Sequence, residues 1–102
     1  MKILMRVIAK DGVKLKSEIK RQHRALTRST FVRGRATKGW EKWMHKNYDG
    51  WIRFKEPCDG VLLVELRCKN EERLWQIFSA FMGYLSRNFL NKIVSVNTQF
   101  VK

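Results

Sequence analysis

Four runs of alternating apolar and polar residues are the feature that most constrains how this chain can fold. They cover residues 3–9, 51–55, 61–68 and 93–101, and such alternation is typical of strands with one buried face. Between the last two runs, apolar residues recur at helical spacing and predict a helix with a wide buried stripe, formed by Leu74, Ile77, Phe78, Phe81, Leu85 and Phe89. Strands and helices in one short chain predict an α+β fold.

Turn and capping residues mark the ends of these elements. Residues 11–12 (Asp-Gly) follow the first run, and residues 57–60 (PCDG) separate the second run from the third, which predicts a hairpin. Asn70 is a favourable N-cap for the long helix, and Glu71 and Glu72 suit the positive end of its dipole. The second half of the chain is therefore predicted as hairpin, helix and strand.

The segment between residues 15 and 50 gives weaker signals. A thin apolar stripe predicts a surface helix over about residues 15–29, and the glycines and bases of residues 30–39 predict a loop. Residues 40–44 hold two tryptophans and a methionine at spacings that favour a short helix. A strand over residues 43–48, turned by the Asp-Gly pair at 49–50, is the alternative.

The resulting order, β-α-β-β-α-β, predicts a ferredoxin-like split β-α-β sandwich with a basic helix-loop insertion before the second strand. The 102 residues suffice for one domain only, and the 44% of apolar residues suffice for one core. We expect a single domain over residues 1–102, with a basic helix and loop over 14–46 and a hairpin-helix-strand half over 51–102. This fold class indicates no function by itself.

The phase of each alternation predicts which residues face the helices. The predicted core residues are Ile3, Met5, Val7, Ala9, Ile52, Phe54, Leu62, Val64, Leu66, Val94, Val96 and Phe100. The opposite phase forms the predicted open face: Leu4, Arg6, Ile8, Trp51, Arg53, Lys55, Val61, Leu63, Glu65, Arg67, Ile93, Ser95, Asn97, Gln99 and Val101. This mixture of bases and aliphatics suits a dimer interface, a nucleic-acid platform, or a surface covered by residues 30–48.

Positive charge is concentrated in one region. The formal net charge is +13, and residues 14–46 hold eleven Lys and Arg residues against two acids. Like charges stack at near i+4 spacing along the first predicted helix, and each such pair destabilises a helix by about 0.2–0.5 kcal/mol. The bases concerned are Lys16, Lys20, Arg24 and Arg28. A polyanion would relieve this repulsion, so the pattern favours nucleic acid as the partner.

Four aromatic residues are interleaved with bases between residues 38 and 53, and such interleaving is typical of proteins that bind RNA or single strands by stacking and charge. The aromatic residues are Trp40, Trp43, Tyr48 and Trp51, and the bases are Lys38, Lys42, Lys46 and Arg53. This interleaving favours RNA over DNA. Trp43 is the expected core anchor and Trp51 the expected exposed tryptophan. The predicted nucleic-acid-binding residues are Lys16, Lys20, Arg21, Arg24, Arg28, Arg33, Arg35, Lys38, Trp40, Lys42, Trp51 and Arg53.

Two other functions fit the same composition. The basic surface could dock an acidic protein as an adaptor or inhibitor, and His23 and His45 could act as acid and base in a small toxin-type ribonuclease. We expect a binding protein rather than an enzyme, because the carboxylates among the bases are isolated and form no catalytic pair. The two histidines and two cysteines lack the spacing of a zinc site, so we expect no cofactor.

The terminal and apolar segments bear on location. Residues 1–10 are too short and too charged for a signal peptide, and residues 74–90 are amphipathic rather than membrane-spanning. Cys58 and Cys68 form neither a metal-binding pair nor a disulfide framework. We expect a cytoplasmic protein that self-associates through the open face, most simply as a homodimer.

Overall fold

The computed structural model describes residues 1–22, 31–34, 38–45 and 49–102, with the backbone alone for residues 31–33 and 45. None of the described helices is long and apolar enough to cross a membrane. Helix α1 spans Leu15–Arg21, helix α2 spans Glu71–Phe89, and a short 3-10 helix over Leu90–Lys92 follows α2. The strands are β1 (Lys2–Ala9), β2 (Phe31–Arg33), β3 (Glu41–His45), β4 (Gly50–Cys58), β5 (Val61–Cys68) and β6 (Ile93–Val101).

The six strands form one sheet in the order β2-β3-β4-β5-β1-β6, and every neighbouring pair is antiparallel. The predicted hairpin is present as β4 and β5, and β2 and β6 are the outer strands. The described elements follow the order β-α-β-β-β-β-α-β. The predicted ferredoxin-like sandwich, with its β-α-β-β-α-β order and basic helix-loop insertion, is therefore wrong.

The error arises in residues 30–48, where β2 and β3 stand in place of the predicted loop and short helix. Glu41 and Trp43 are buried while Lys42 is half-buried and Met44 is exposed, which is the period of a strand. β3 pairs with β4 over four consecutive residues. Pairing with an existing strand satisfies the backbone of β3, whereas a helix of one or two turns is barely stable alone.

Helices α1 and α2 cover one face of the sheet, and the core lies between them. Leu15 and Ile19 of α1 are buried there. The rest of the predicted first helix, to residue 29, falls within residues 23–30, which lie outside the described residues. The prediction is confirmed for the buried strand residues Ile3, Met5, Val7, Ala9, Ile52, Phe54, Leu62, Val64 and Leu66. From α2 the core receives Leu74, Ile77, Phe81, Leu85 and Phe89.

Strand β6 departs from the predicted burial. Val94 is 65% exposed and Phe100 is 45% exposed, so their assignment to the core is wrong, while Val96 is partly buried. The register shifts beside Ala9: Ile8 lies opposite Ser95 and Ala9 opposite Ile93, which leaves Val94 without an opposing residue. Phe100 lies at the margin of the sheet because β6 is an outer strand.

The ends of α2 and of the β4–β5 hairpin follow the turn chemistry of the sequence. The Asn70 side chain accepts a hydrogen bond from the backbone N–H of Arg73 at 3.0 Å, as expected of an N-cap. Gly60 has a φ of +83° in the hairpin turn, a conformation that side chains with a Cβ rarely adopt. The predicted N-cap of α2 and the predicted turn of the β4–β5 hairpin are therefore confirmed.

Candidate functional site

The open face is the side of the sheet opposite α1 and α2, and its centre lies on β3, β4 and β5. Successive residues of a strand point to opposite faces, so burying Ile52 and Phe54 under the helices turns their neighbours outward. The register then places Lys42 opposite Arg53, and Arg53 opposite Glu65. Trp51 lies one pleat further along, opposite Arg67.

Two tryptophans flank the Arg53 guanidinium on this face. Its central carbon lies 4.4 Å from the ring centroid of Trp40 and 5.5 Å from that of Trp51. Lys55 Nζ lies 4.6 Å from the Trp40 centroid, and Lys42 Nζ lies 5.0 Å from the Trp51 centroid. These separations suit cation–π attraction, which holds rings and charges together. Both indoles are half-buried, so each keeps part of its surface in solvent.

Glu65 fixes the guanidinium groups of the open face. It is only 4% exposed, and its carboxylate accepts hydrogen bonds from Arg53 Nε at 2.6 Å and from Arg67 Nε at 2.9 Å. Lys2 Nζ lies 3.9 Å from the same carboxylate. Burial raises the pKa of Glu65, but the hydrogen bonds and charges of Arg53 and Arg67 outweigh it, so the pKa lies below its ordinary value. Glu65 therefore remains ionised near neutral pH.

The open face carries a large excess of positive charge. The register places six cations there against the single carboxylate of Glu65: Lys2, Arg6, Lys42, Arg53, Lys55 and Arg67. Half-buried Leu4, Ile8, Val61 and Leu63 lie beside them. Because Glu65 is shared among its neighbours, several of these cations are available to an anionic ligand.

The structure brings together four of the predicted binding residues and separates others. Trp40, Lys42, Trp51 and Arg53 meet on the open face. Of the rest, Lys38 lies in the exposed turn before Trp40, and Arg33 belongs to β2, where the backbone alone is described. The predicted residues Arg24, Arg28 and Arg35 lie outside the described residues.

The α1 residues Lys16, Lys20 and Arg21 belong to the helix layer, on the other side of the sheet. Lys16 Nζ donates a hydrogen bond to the backbone carbonyl of Gly39 at 2.6 Å. Lys20 Nζ lies 3.2 Å from Oε1 of the buried Glu41. Lys16 and Lys20 thus have partners within the chain. These partners relieve part of the repulsion between the stacked bases, for which the sequence predicts a polyanion as the partner.

Lys55 and Arg67 belong to the same constellation but were absent from the predicted site. The alternation predicts both on the open face, but the predicted binding residues follow mainly from the charge density of residues 14–46, which excludes both. The alternation of β4 and β5 is the signal that identifies Lys55 and Arg67. Lys55 follows Arg53 by two residues and Arg67 follows Glu65 by two, so each shares the face of its neighbour.

In the part of the chain that the structure describes, no group of three or more His, Cys, Asp or Glu residues could hold a metal ion. Cys58 is exposed and Cys68 is buried, and both are free thiols. His23 lies outside the described residues, and only the backbone of His45 is described.

No family model, curated protein or solved structure matches this chain. Any functional proposal therefore depends on the chemistry of its own surface.

Proposed function

We propose that this protein binds nucleic acid through the open face, with RNA favoured over DNA. The observation that carries the proposal is the placement of Arg53 between the rings of Trp40 and Trp51, within a field of lysines and arginines. Bases stack on indole rings for about 1–3 kcal/mol each, and the surrounding cations attract phosphates. The same small area thus offers both interactions that a nucleotide strand needs.

Single-stranded segments are the preferred ligand in this proposal. Stacking on Trp40 or Trp51 requires a base with a free face, which a duplex hides within its own stack. The tryptophans lie on a broad sheet rather than on a protruding helix that could enter a groove. RNA is favoured because loops and bulges with unstacked bases are its usual recognition sites.

The main contact is assigned to the open face rather than to the basic helix and loop. The lysines of α1 already interact with Gly39 and Glu41, so a ligand would have to compete with those contacts. The open-face cations lie against aromatic rings instead, so a phosphate would not have to displace such contacts to reach them. We also propose a cytoplasmic location, since free Cys58 and Cys68 suit a reducing compartment.

The test is fluorescence anisotropy of labelled oligonucleotides titrated with the full chain in about 100 mM salt. Single-stranded RNA, single-stranded DNA and duplex DNA are compared against Trp40→Leu, Trp51→Leu and the double variant. The control is Trp75→Leu, because Trp75 is also partly exposed but lies on α2. We expect the open-face variants to weaken single-strand binding at least tenfold together, and the control to bind normally.

Other outcomes overturn the proposal in distinct ways. Binding that survives the double tryptophan variant would place the contact elsewhere. A polyglutamate peptide that binds as tightly as RNA, with no dependence on Trp51, would favour an acidic protein partner. Degradation of the RNA, abolished by His23→Ala or His45→Ala, would identify the ribonuclease alternative.

A further inference from the structure

Strand β6 is an outer strand without the usual protection against pairing. It spans nine residues, Ile93–Val101, in which no Lys, Arg, Asp, Glu, Pro or Gly occurs, although 30% of the whole chain is charged. In natural sheets, charged residues, prolines or short edge strands prevent further strands from pairing, because an edge offers unpaired N–H and C=O groups. A long uncharged edge is therefore suited to adding a strand.

A partly exposed aromatic cluster lies beside this edge, on the helix side of the sheet. The ring centroids of Trp75 and Phe100 are 4.8 Å apart, and Phe78 lies within 6.0 Å of Phe100. Trp75 is 41% exposed, and on β6 Val94 is 65% and Phe100 45% exposed. This apolar surface continues the strand edge toward α2, so an added strand could bury side chains as well as pair its backbone.

We propose that the occupant of this edge is β6 of a second copy, running antiparallel about a two-fold axis at Asn97. The sequence IVSVNTQFV is self-complementary in that register: Ile93 opposes Val101, Val94 opposes Phe100, Ser95 opposes Gln99, and Val96 opposes Thr98. Apolar residues meet apolar residues at both ends, Ser95 meets Gln99 and Asn97 meets its own copy, and Val96 alone meets a polar residue, Thr98. Such self-matching is what a two-fold interface requires of a single surface.

Charge also selects this edge over the open face. Two chains of net charge +13 repel each other, and stacking two open faces would oppose Arg53, Arg67 and their neighbouring cations. Strand β6 contributes no charge of its own, although its register brings the flanking Lys92 and Lys102 opposite each other at each end. Lys92 is paired with Glu18 at 2.7 Å, so the paired edges oppose fewer cations than two stacked open faces would. Antiparallel edge pairing forms one sheet through both copies, with both open faces on the same side and accessible.

The first test is sedimentation of the full chain after nuclease treatment, in about 0.5 M NaCl, which screens repulsion and removes bridging nucleic acid. We expect a dimer at tens of micromolar protein, which corresponds to weak or moderate affinity. Association should tighten as salt rises, opposite to nucleic-acid binding. This outcome is independent of whether the open face binds RNA.

Variants locate the interface. Val94→Lys, alone and combined with Phe100→Lys, should raise the dimer dissociation constant at least tenfold. Val94 is exposed enough for the single substitution to leave the fold intact, as circular dichroism checks. The matched control is Met44→Lys, because Met44 is also exposed, at 43%, but lies on β3 far along the sheet. A monomeric wild-type protein, or a dimer unaffected by both β6 variants, would overturn the proposal.

Cysteine cross-linking tests the register. In a Cys58→Ser background, Asn97→Cys should form an intermolecular disulfide under mild oxidation, since antiparallel pairs have Cα atoms about 4.5–5.5 Å apart. Gln99→Cys is the control on the same strand and face, and its symmetry mate would lie about four residues further along. Equal cross-linking of the two variants would show that the copies do not pair about Asn97.

Discussion

The two faces of the sheet give different roles to the same side chain. Trp43 and Trp51 lie on neighbouring strands, yet Trp43 is fully buried with its ring centroid 4.9 Å from that of Phe54. Trp51 faces the other way and lies within 5.8 Å of three cationic groups. The two tryptophans occupy opposite phases of the strand alternation, so their side chains point to opposite faces of the sheet.

Lysines show the same contrast. Lys16 and Lys20, in the helix layer, contact Gly39 and Glu41 and so hold the β3 entry against α1. Lys42, on the open face, lies over an aromatic ring instead. The number of bases in a segment therefore does not locate a binding surface, because some of those charges stabilise the fold and others remain available to a ligand.

The largest expected effect separates the two tryptophans by stability. Trp43→Ala should lower the free energy of unfolding by about 3–5 kcal/mol, because it leaves a cavity beside Phe54 and Tyr84. Trp51→Ala, on the half-exposed face, should cost less than about 1.5 kcal/mol. Urea unfolding monitored by circular dichroism measures both. Equal losses for the two variants would mean that the faces are not distinct in packing.

A smaller effect tests how the open face is organised. Glu65→Gln should lower stability by about 1–2 kcal/mol at pH 7, because it weakens charge-assisted hydrogen bonds from two partly exposed arginines. The folded pKa of Glu65 is depressed, so its contribution is present above its unfolded pKa, near 4.5, and is lost as pH falls through the lower folded value. The difference between wild type and variant should therefore shrink below pH 4.5.

Thermal unfolding at pH 7 and at about pH 3 checks this pH dependence. Glu72→Gln is the matched control, since Glu72 is an exposed carboxylate on the first turn of α2. The control should change stability by about 0.3–1 kcal/mol at pH 7, the usual contribution of one carboxylate to a helix dipole. A Glu65→Gln penalty that is the same at both pH values would contradict the ion-pair account.

Strands β1, β4, β5 and β6 were predictable from the sequence, whereas β2, β3 and the burial of β6 were not. β1 and β5 have neighbours on both sides, so burial alone sets their phase and the period of two is unbroken. For β6 the strand is predicted correctly but the burial of two residues is not: the register shift beside Ala9 leaves Val94 without an opposing residue, and Phe100 lies at the margin of the sheet. Such a register shift leaves no clear sequence signal. The prediction of a short helix in place of β3 is wrong because the tryptophan and methionine of this segment suit a helix or a strand equally. Its pairing with β4 depends on the tertiary fold, which the local sequence does not show.

For the candidate site, aromatic-basic interleaving predicted Trp40, Lys42, Trp51 and Arg53 together, and the fold places them together. A separate argument, from the charge density of residues 14–46, grouped Lys16 and Lys20 with them. It failed to separate them because sequence proximity does not show which side of a sheet a helix covers. The contact between Lys20 and Glu41 joins residues on two different elements. Only the packing of α1 onto the sheet reveals it.

The smallest expected effect compares lysines of the two layers by their salt dependence. For a single strand, each phosphate neutralised contributes a slope of about −0.7 in log affinity against log salt concentration. Lys42→Ala and Lys55→Ala should each reduce that slope by about 0.7, because both ammonium groups lie on the open face beside the tryptophans. Lys16→Ala should leave the slope unchanged, since Lys16 already donates to Gly39. Anisotropy titrations at several salt concentrations measure these slopes, and an equal reduction for Lys16→Ala would assign the phosphate contacts to α1 after all.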